Sequence, residues 1–282
     1  NNTWTPLAVS AHYNAGEVYN YFYKTHGRNS IDGKGGTIQS FINFSQSYSG
    51  AFWTNNTIYY GNGNVNQGYY EFAKGLDISA HEISHGVIDA TAGLEYDAES
   101  GAVNESFADI FAVMVDRDDW TLGEDVIVQG HPIRPSGAER NMANPGQGLP
   151  KDSFRLGWQP NHVNQEYKGL NDGGGVHWNS GIPNHAFYQF VQGLIPMAGN
   201  EEGAKKIAEK VYYHALQYYL TRQAGFSELR AAIEQSCADL YPGNQDVRLQ
   251  AGLAFDKVGI KSGAEPGGGI FDIKPSELSV NP

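Results

Sequence analysis

One stretch, His81-Glu82-Ile83-Ser84-His85, restricts this chain more than any other. It lies inside Leu76–Asp89, which contains no Pro and spaces Ile78, Ile83, Val87 and Ile88 at helical intervals, so a helix is predicted there. On a helix His81 and His85 share one face, a turn apart. Two neutral imidazoles held that way can bind one metal ion. Glu82, about 100° further round by the 3.6-residue period, then leans over the ion's open side. The competing reading is an ordinary pair of histidines on a solvated face, and the rest of the chain has to decide between the two.

The bulk properties remove several classes. With 282 residues, 40% of them hydrophobic and 12% aromatic, the chain can bury one large core or two lobes around a cleft. Nineteen basic against 31 acidic residues give a net charge of −12, which argues against nucleic acid because phosphate binding needs a basic surface. No apolar run approaches the roughly 18 residues of a membrane span, so no membrane insertion is expected. The start, Asn1-Asn2-Thr3-Trp4, lacks Met, a basic n-region and a hydrophobic h-region, and the expectation is a processed, exported chain. Its one cysteine, Cys237, rules out an internal disulfide and reads as a buried structural thiol.

The order of patterns predicts an α+β fold in two lobes. Residues 6–26 read as a helix closed by Gly27, and 37–60 as short antiparallel strands, one of them an edge beside the cleft. After the central helix, Ser100 can cap a second one running to Val115, with Val103, Phe107, Ile110, Phe111 and Met114 as its buried stripe. Residues 117–176 are loop-rich. Helices then follow at about 181–194, 201–220, 226–241 and 245–258. The expected organisation is an N-terminal α+β lobe over 1–92, a mainly helical lobe over 93–261, and a tail or linker over 262–282.

A catalytic zinc usually takes three protein ligands and leaves a place for water, so His81 and His85 need one more donor. The second helix offers Glu105 and Asp109, four apart and clear of its apolar stripe. One carboxylate can complete the metal site while the other accepts a hydrogen bond from a ligand imidazole.

Several further segments widen the picture: Thr91-Ala-Gly-Leu-Glu-Tyr96, Glu99-Ser-Gly-Ala-Val-Asn-Glu-Ser-Phe-Ala-Asp-Ile110, Gly174-Gly-Val-His-Trp-Asn-Ser-Gly-Ile-Pro-Asn184, Ala51-Phe-Trp53 and Phe226-Ser-Glu-Leu-Arg-Ala-Ala232. With the zinc motif, these resemble the thermolysin-like metallopeptidases, the M4 family, from about Pro6 to Lys261. The longer metzincin motif is absent, since Ile88 and Thr91 stand where it requires Gly and His. The resemblance implies that Glu105 is the third zinc ligand and Asp109 the hydrogen-bond partner of His81. It implies Glu82 as general base, Tyr96 and His177 as donors to the substrate oxyanion, Asp172 as the group orienting His177, and Arg140 as a holder of substrate carbonyl. Ala51 and Trp53 would line the strand that pairs with an extended peptide.

A structural calcium is also expected. Asp77, Asp116, Asp119, Thr121 and Glu124 supply hard oxygen donors, similar acids bind calcium in the family, and the short loop here implies one ion. Three departures stand out. Only a handful of residues precede Pro6 where family members carry a long β-rich region, so a compact relative or a separately cleaved N-terminal region or propeptide is expected. Gly50 replaces an Asn whose amide holds substrate backbone. Glu139 replaces a residue commonly Leu in the pocket for the side chain after the scissile bond.

The sequence therefore predicts a secreted, monomeric zinc endopeptidase acting on polypeptides, with one catalytic zinc and one structural calcium. The alternatives are a catalytically weak zinc-containing binding or adhesion module and a narrow-specificity processing protease.

Overall fold

A computed structural model of the 282-residue chain describes residues 3–46, 48–147 and 157–263. The expected tail falls almost wholly outside them. The first helix, α1 (Pro6–His26), begins where Thr5 accepts from the Ala8 amide at 3.3 Å and Pro6 supplies a φ already suited to a first helical turn. It ends at Gly27 in the left-handed conformation, and Ala11, Asn14, Val18 and Phe22 form its buried face.

Three short strands follow: β1 (Gln39–Phe41), β2 (Ala51–Thr54) and β3 (Thr57–Tyr60). Asn55 and Asn56 both adopt positive φ, the geometry of a tight hairpin turn, and join β2 antiparallel to β3. The expectation of purely antiparallel strands is corrected at β1. That strand runs parallel to β3 on its far side, giving the order β1-β3-β2. The excursion through β2 reverses the chain twice before β3, so β1 and β3 point the same way. Strand β2 is left as an edge, as the sequence implied.

The chain then enters α2 (Leu76–Asp89) and α3 (Ala98–Val115). Asn14 fixes the start of α2: its amide donates to the carbonyls of Ala73 and Gly75 and to Ser79 Oγ, at 3.3, 3.0 and 3.2 Å. Tyr60 of β3 donates to the same serine at 2.9 Å. Helix α1 and the sheet thus hold the zinc-motif helix by its first turn.

Sequence periodicity gave α3 one apolar stripe and a polar face. The structure buries it on every side from Ser100 to Met114, because α1, α2, α5, α6 and α7 surround it. Its polar side is therefore interior. A two-stranded ribbon, β4 (Thr121–Leu122) with β5 (Arg140–Asn141), breaks the loop-rich region. Five helices complete the fold: α4 (Asn171–Asn179), α5 (Gly181–Ala198), α6 (Glu201–Tyr218), α7 (Phe226–Leu240) and α8 (Gln245–Lys257). The main core runs from Phe22 through α2 and α3 into α5–α8, with a smaller cluster of Ile58, Tyr60, Tyr69, Phe72, Ile78 and Val126 beneath the sheet. Cys237 is buried.

Phe111 packs edge-on against Phe22 and also meets Tyr21, His26, Phe107 and Tyr213. Phe111→Ala is expected to cost about 3–5 kcal/mol, read as a lower denaturant midpoint with little change in slope.

Candidate metal and catalytic site

Helix α2 presents His81 and His85 one turn apart, their rings edge to face with centroids 4.7 Å apart and their Nε2 atoms 3.1 Å apart. Across from them α3 contributes Glu105, whose carboxylate oxygens lie 3.4 Å from His81 Nε2 and 3.5 Å from His85 Nε2. One ligand atom from each of the three falls within 4.8 Å of the others, the only such trio of His, Cys, Asp or Glu among the described residues.

The far sides of both rings are occupied. Asp109 Oδ1 sits 2.7 Å from His81 Nδ1, and Asn104 Oδ1 sits 2.8 Å from His85 Nδ1. An acceptor at each Nδ1 keeps the proton there, so each neutral ring turns its Nε2 lone pair inward. Two lone pairs and a carboxylate facing one another at 3.1–3.5 Å repel unless a cation lies among them. Two nitrogens and one carboxylate form the donor set of a three-ligand zinc site with an open position, so the residues present fit zinc.

Asp109 is itself held. Arg140 donates to its Oδ1 at 2.7 Å and Asn184 to its Oδ2 at 2.8 Å. The sequence gave no sign of Asn104 or Asn184, both buried. A polar residue in the buried run of α3, directly before a ligand, was the available clue to Asn104. Its amide also donates to the Leu94 carbonyl at 3.0 Å, which fixes the oxygen towards His85.

Glu82 is buried beside the trio, and burial pushes its carboxyl up to about 7. From the other side come Tyr96 and His177. The Tyr96 hydroxyl donates to Glu105 and lies 3.1 Å from His177 Nε2. Asp172 accepts from both the ring Nδ1 and the backbone N–H of His177, at 2.7 and 2.9 Å. The nearby Glu105 carboxylate raises the His177 imidazole above its usual range, against the opposing effect of burial.

This arrangement depends on an unusual backbone. Asp172, Gly173, Gly174 and Gly175 all have positive φ, so the first part of α4 is not a regular helix. Three glycines adopt that conformation without penalty, and the strained Asp172 is the residue that grips His177. Gly101 allows the matching approach: a Cβ there would stand 2.4 Å from Val176 Cγ1, so α3 and α4 could not bring Glu105 and His177 together.

Of the substrate-side candidates, Trp53 of β2 lies flat against Gly86, where a Cβ would fall 2.5 Å from its ring, which sets the edge strand over the zinc-motif helix. Ala51 pairs with Tyr60 on the same strand, and the Gly50 carbonyl accepts from the Gly61 amide at 2.9 Å. Glu139 turns towards Arg134, and Arg140 keeps a buried Nε without a partner.

The acids expected to hold calcium are less convergent. Asp77 accepts from the backbone N–H groups of Ile78 and Gly123, and Asp119 from the amide and hydroxyl of Thr121, whose Oγ1 also reaches Glu124 at 3.0 Å. Asp116 faces a cluster of acids, Asp118, Asp119 and Asp125. These residues do not form a trio of ligand atoms at metal spacing.

Comparison with known proteins agrees with this architecture. Residues 1–89 match the family model described as thermolysin metallopeptidase, catalytic domain, and residues 92–260 the one described as thermolysin metallopeptidase, alpha-helical domain. The chain belongs to the thermolysin metallopeptidase family. It is 40% identical over 262 residues to a bacillolysin of Brevibacillus brevis, covering 92% of this chain and 47% of that one. It is 39% identical over 264 residues to a thermolysin of Alicyclobacillus acidocaldarius, covering 92% and 46%. The chain thus spans about half the length of the curated relatives it matches. Among solved structures, the precursor of protealysin, a metalloproteinase from Serratia proteamaculans, superposes with a TM-score of 0.79 at 26% identity, over 93% of this chain and 81% of that one.

Within this thermolysin-family site Asn104 fixes a ligand without touching the metal. Asn104→Ala is expected to weaken zinc affinity by about 10- to 100-fold, measured by competition with a chromophoric chelator, with the helical content unchanged.

Proposed function

We propose that the chain is a zinc-dependent endopeptidase that hydrolyses internal peptide bonds. One observation carries this reading: His81, His85 and Glu105 converge from three sides, with a buried carboxylate, Glu82, and two donors, Tyr96 and His177, around the open fourth side. A zinc kept only for folding would usually be closed by a fourth protein ligand, so the geometry favours a peptidase over a binding module.

When bound, zinc supplies Lewis acidity, lowering the pKa of its water from 15.7 towards about 7 and polarising the scissile carbonyl. Glu82 is the proton carrier. Held at about 7 by burial, it accepts a proton from the attacking water and passes it to the departing nitrogen. Tyr96 and His177 direct their hydroxyl and ring N–H at the negative charge that develops on the carbonyl oxygen. Asp172 fixes the ring for that task, donating Nδ1–H to the carboxylate and turning Nε2 to the cleft. The free Nε of Arg140 is placed to hold a substrate carbonyl on the leaving-group side. An extended peptide adds to the edge strand β2 at Ala51–Trp53, with Gly50 at its end and Glu139 bordering the pocket beyond the scissile bond.

We further infer one structural calcium near Asp77, Asp116, Asp119, Thr121 and Glu124. Burial and the Glu124 charge push Asp77 up to about 7, and neighbouring acids also raise Asp116 and Glu124. A divalent cation would relieve this mutual repulsion. Export from the cell and action as a monomer complete the reading. No helix among the described residues is long and apolar enough to cross a membrane.

Glu82→Gln should lower hydrolysis of a quenched peptide by about 10²-fold or more while zinc stays bound, and removing zinc should abolish activity until the metal is returned. Retained hydrolysis in either case would exclude the mechanism.

Calcium gives a separate test with a defined sign. Asp77 holds its proton more tightly when folded than when unfolded, so between about pH 4 and 7 the ion-free fold loses stability as pH rises. Calcium must displace that proton at low pH but not above it. The calcium-induced rise in Tm should therefore be larger at pH 8 than at pH 5, and an equal rise at both would place the ion elsewhere.

A further inference from the structure

Beyond the first turn of α2 the cleft meets a group of side chains that the reaction does not use. Tyr69 and Arg134 are both buried, and Arg134 donates to the Tyr69 hydroxyl from Nε at 2.6 Å and from Nη2 as well. Its Nη2 also stands 3.6 Å from Glu139 Oε2. With both arginine nitrogens donating to its oxygen, the Tyr69 hydroxyl has its own hydrogen left for the Glu139 carboxylate, with which it interacts.

Three observations place this group beside the reacting centre. Ile78, which shares a small core with Tyr69, lies one helical turn before Glu82 on the same face of α2. Glu139 directly precedes Arg140, whose guanidinium reaches Asp109 behind His81. Its Cγ lies over Gly123, whose amide is bound by Asp77 in the first turn of α2.

Within the group the chemistry is asymmetric. The Arg134 side chain is 10% exposed and that of Glu139 is 20% exposed, so the carboxylate is the member presented to an arriving side chain. A carboxylate has about four acceptor positions. Among the described residues Glu139 uses one on the tyrosine and faces arginine across a gap longer than a hydrogen bond.

We propose that Tyr69, Arg134 and Glu139 form the selective wall of the pocket after the scissile bond, and that the pocket selects residues carrying an N–H or O–H donor, such as Asn. This rests on the peptidase reading above and names its substrate class. Tyr69 and Arg134 are positioning residues that hold Glu139, and Glu139 touches the substrate. An aliphatic side chain would strip water from the carboxylate and return nothing, while an acidic one would meet like charge.

The test uses three quenched peptides, each with one cleavable bond and differing only in the residue after it: Asn, its near-isostere Leu, and Asp. The zinc-loaded wild-type protein is expected to cut the Asn peptide with a kcat/KM about tenfold or more above that of the Leu and Asp peptides. Glu139→Leu should shift the Asn-to-Leu ratio towards Leu by at least about tenfold. Glu139→Gln keeps an acceptor but not the charge, so it should preserve Asn over Leu and relax the exclusion of Asp several-fold; it carries the test if the Leu variant folds poorly. An Asn-to-Leu ratio that is the same in wild type and Glu139→Leu, or Asp excluded as strongly in Glu139→Gln as in wild type, overturns the proposal while leaving the peptidase reading intact. Failure of the wild-type protein to cut any of the three overturns the peptidase reading itself.

Discussion

Two carboxylates with almost no access to water, Glu105 at 1% exposed and Asp109 at 0%, set the conditions for everything around them. A charge removed from water persists only where partners replace its hydration. Asp109 has His81, Arg140 and Asn184, while Glu105 has the two α2 imidazoles, the Tyr96 hydroxyl and His177. Each partner comes from a different element, so satisfying two side chains of α3 brings α2, β5, α4 and α5 together. Burial of α3 on all sides keeps the surroundings poorly polarisable, which strengthens each of these contacts. The same burial raises Glu82 to about 7, giving a carboxylate whose proton affinity suits exchange near neutral pH.

What could be read in the sequence was what depends on neighbours along the chain. Helix α1 carries its own stop and start in Thr5, Pro6 and Gly27, and the pairs His81/His85 and Glu105/Asp109 follow from helical spacing alone. Those four residues meet in the structure as the motif implied. The features that escaped are tertiary. The direction of β1 depends on which side of β3 it joins, and nothing in Gln39–Phe41 encodes that choice. Helix α3 carries Asn104, Glu105, Ser106 and Asp109 within a buried run, so periodicity assigned it a solvated face when other helices in fact cover it.

The acidic loop shows the opposite limit of sequence proximity. Asp116, Asp119 and Glu124 are close along the chain and influence one another's charge, yet the oxygens of Asp77 and Asp119 turn to nearby backbone amides and a hydroxyl. Backbone donors satisfy a carboxylate as well as an ion does when no ion is present. Shared charge is therefore visible in the sequence, but convergence of ligand atoms is not.

The departure at Gly50 follows the same logic. Losing a side chain at the end of β2 implies, from sequence, a gap in the wall that holds substrate backbone. In the structure a Cβ at Gly50 would stand 3.0 Å from both the ring carbon Cζ and the hydroxyl of Tyr48, so a phenol already occupies the space beside it. Phe44 and Phe52 pack edge-on against that ring and hold it in place. Burial, and after it the charge of Glu82, push the Tyr48 phenol above its usual range, which sets the ring at the same cleft as the catalytic carboxylate. Glycine at 50 therefore does not widen the cleft. It exchanges an amide for a neighbouring hydroxyl, much as Glu139 brings a carboxylate held by Arg134 and Tyr69 to the opposite end, and both exchanges make the walls around an unchanged metal site more polar.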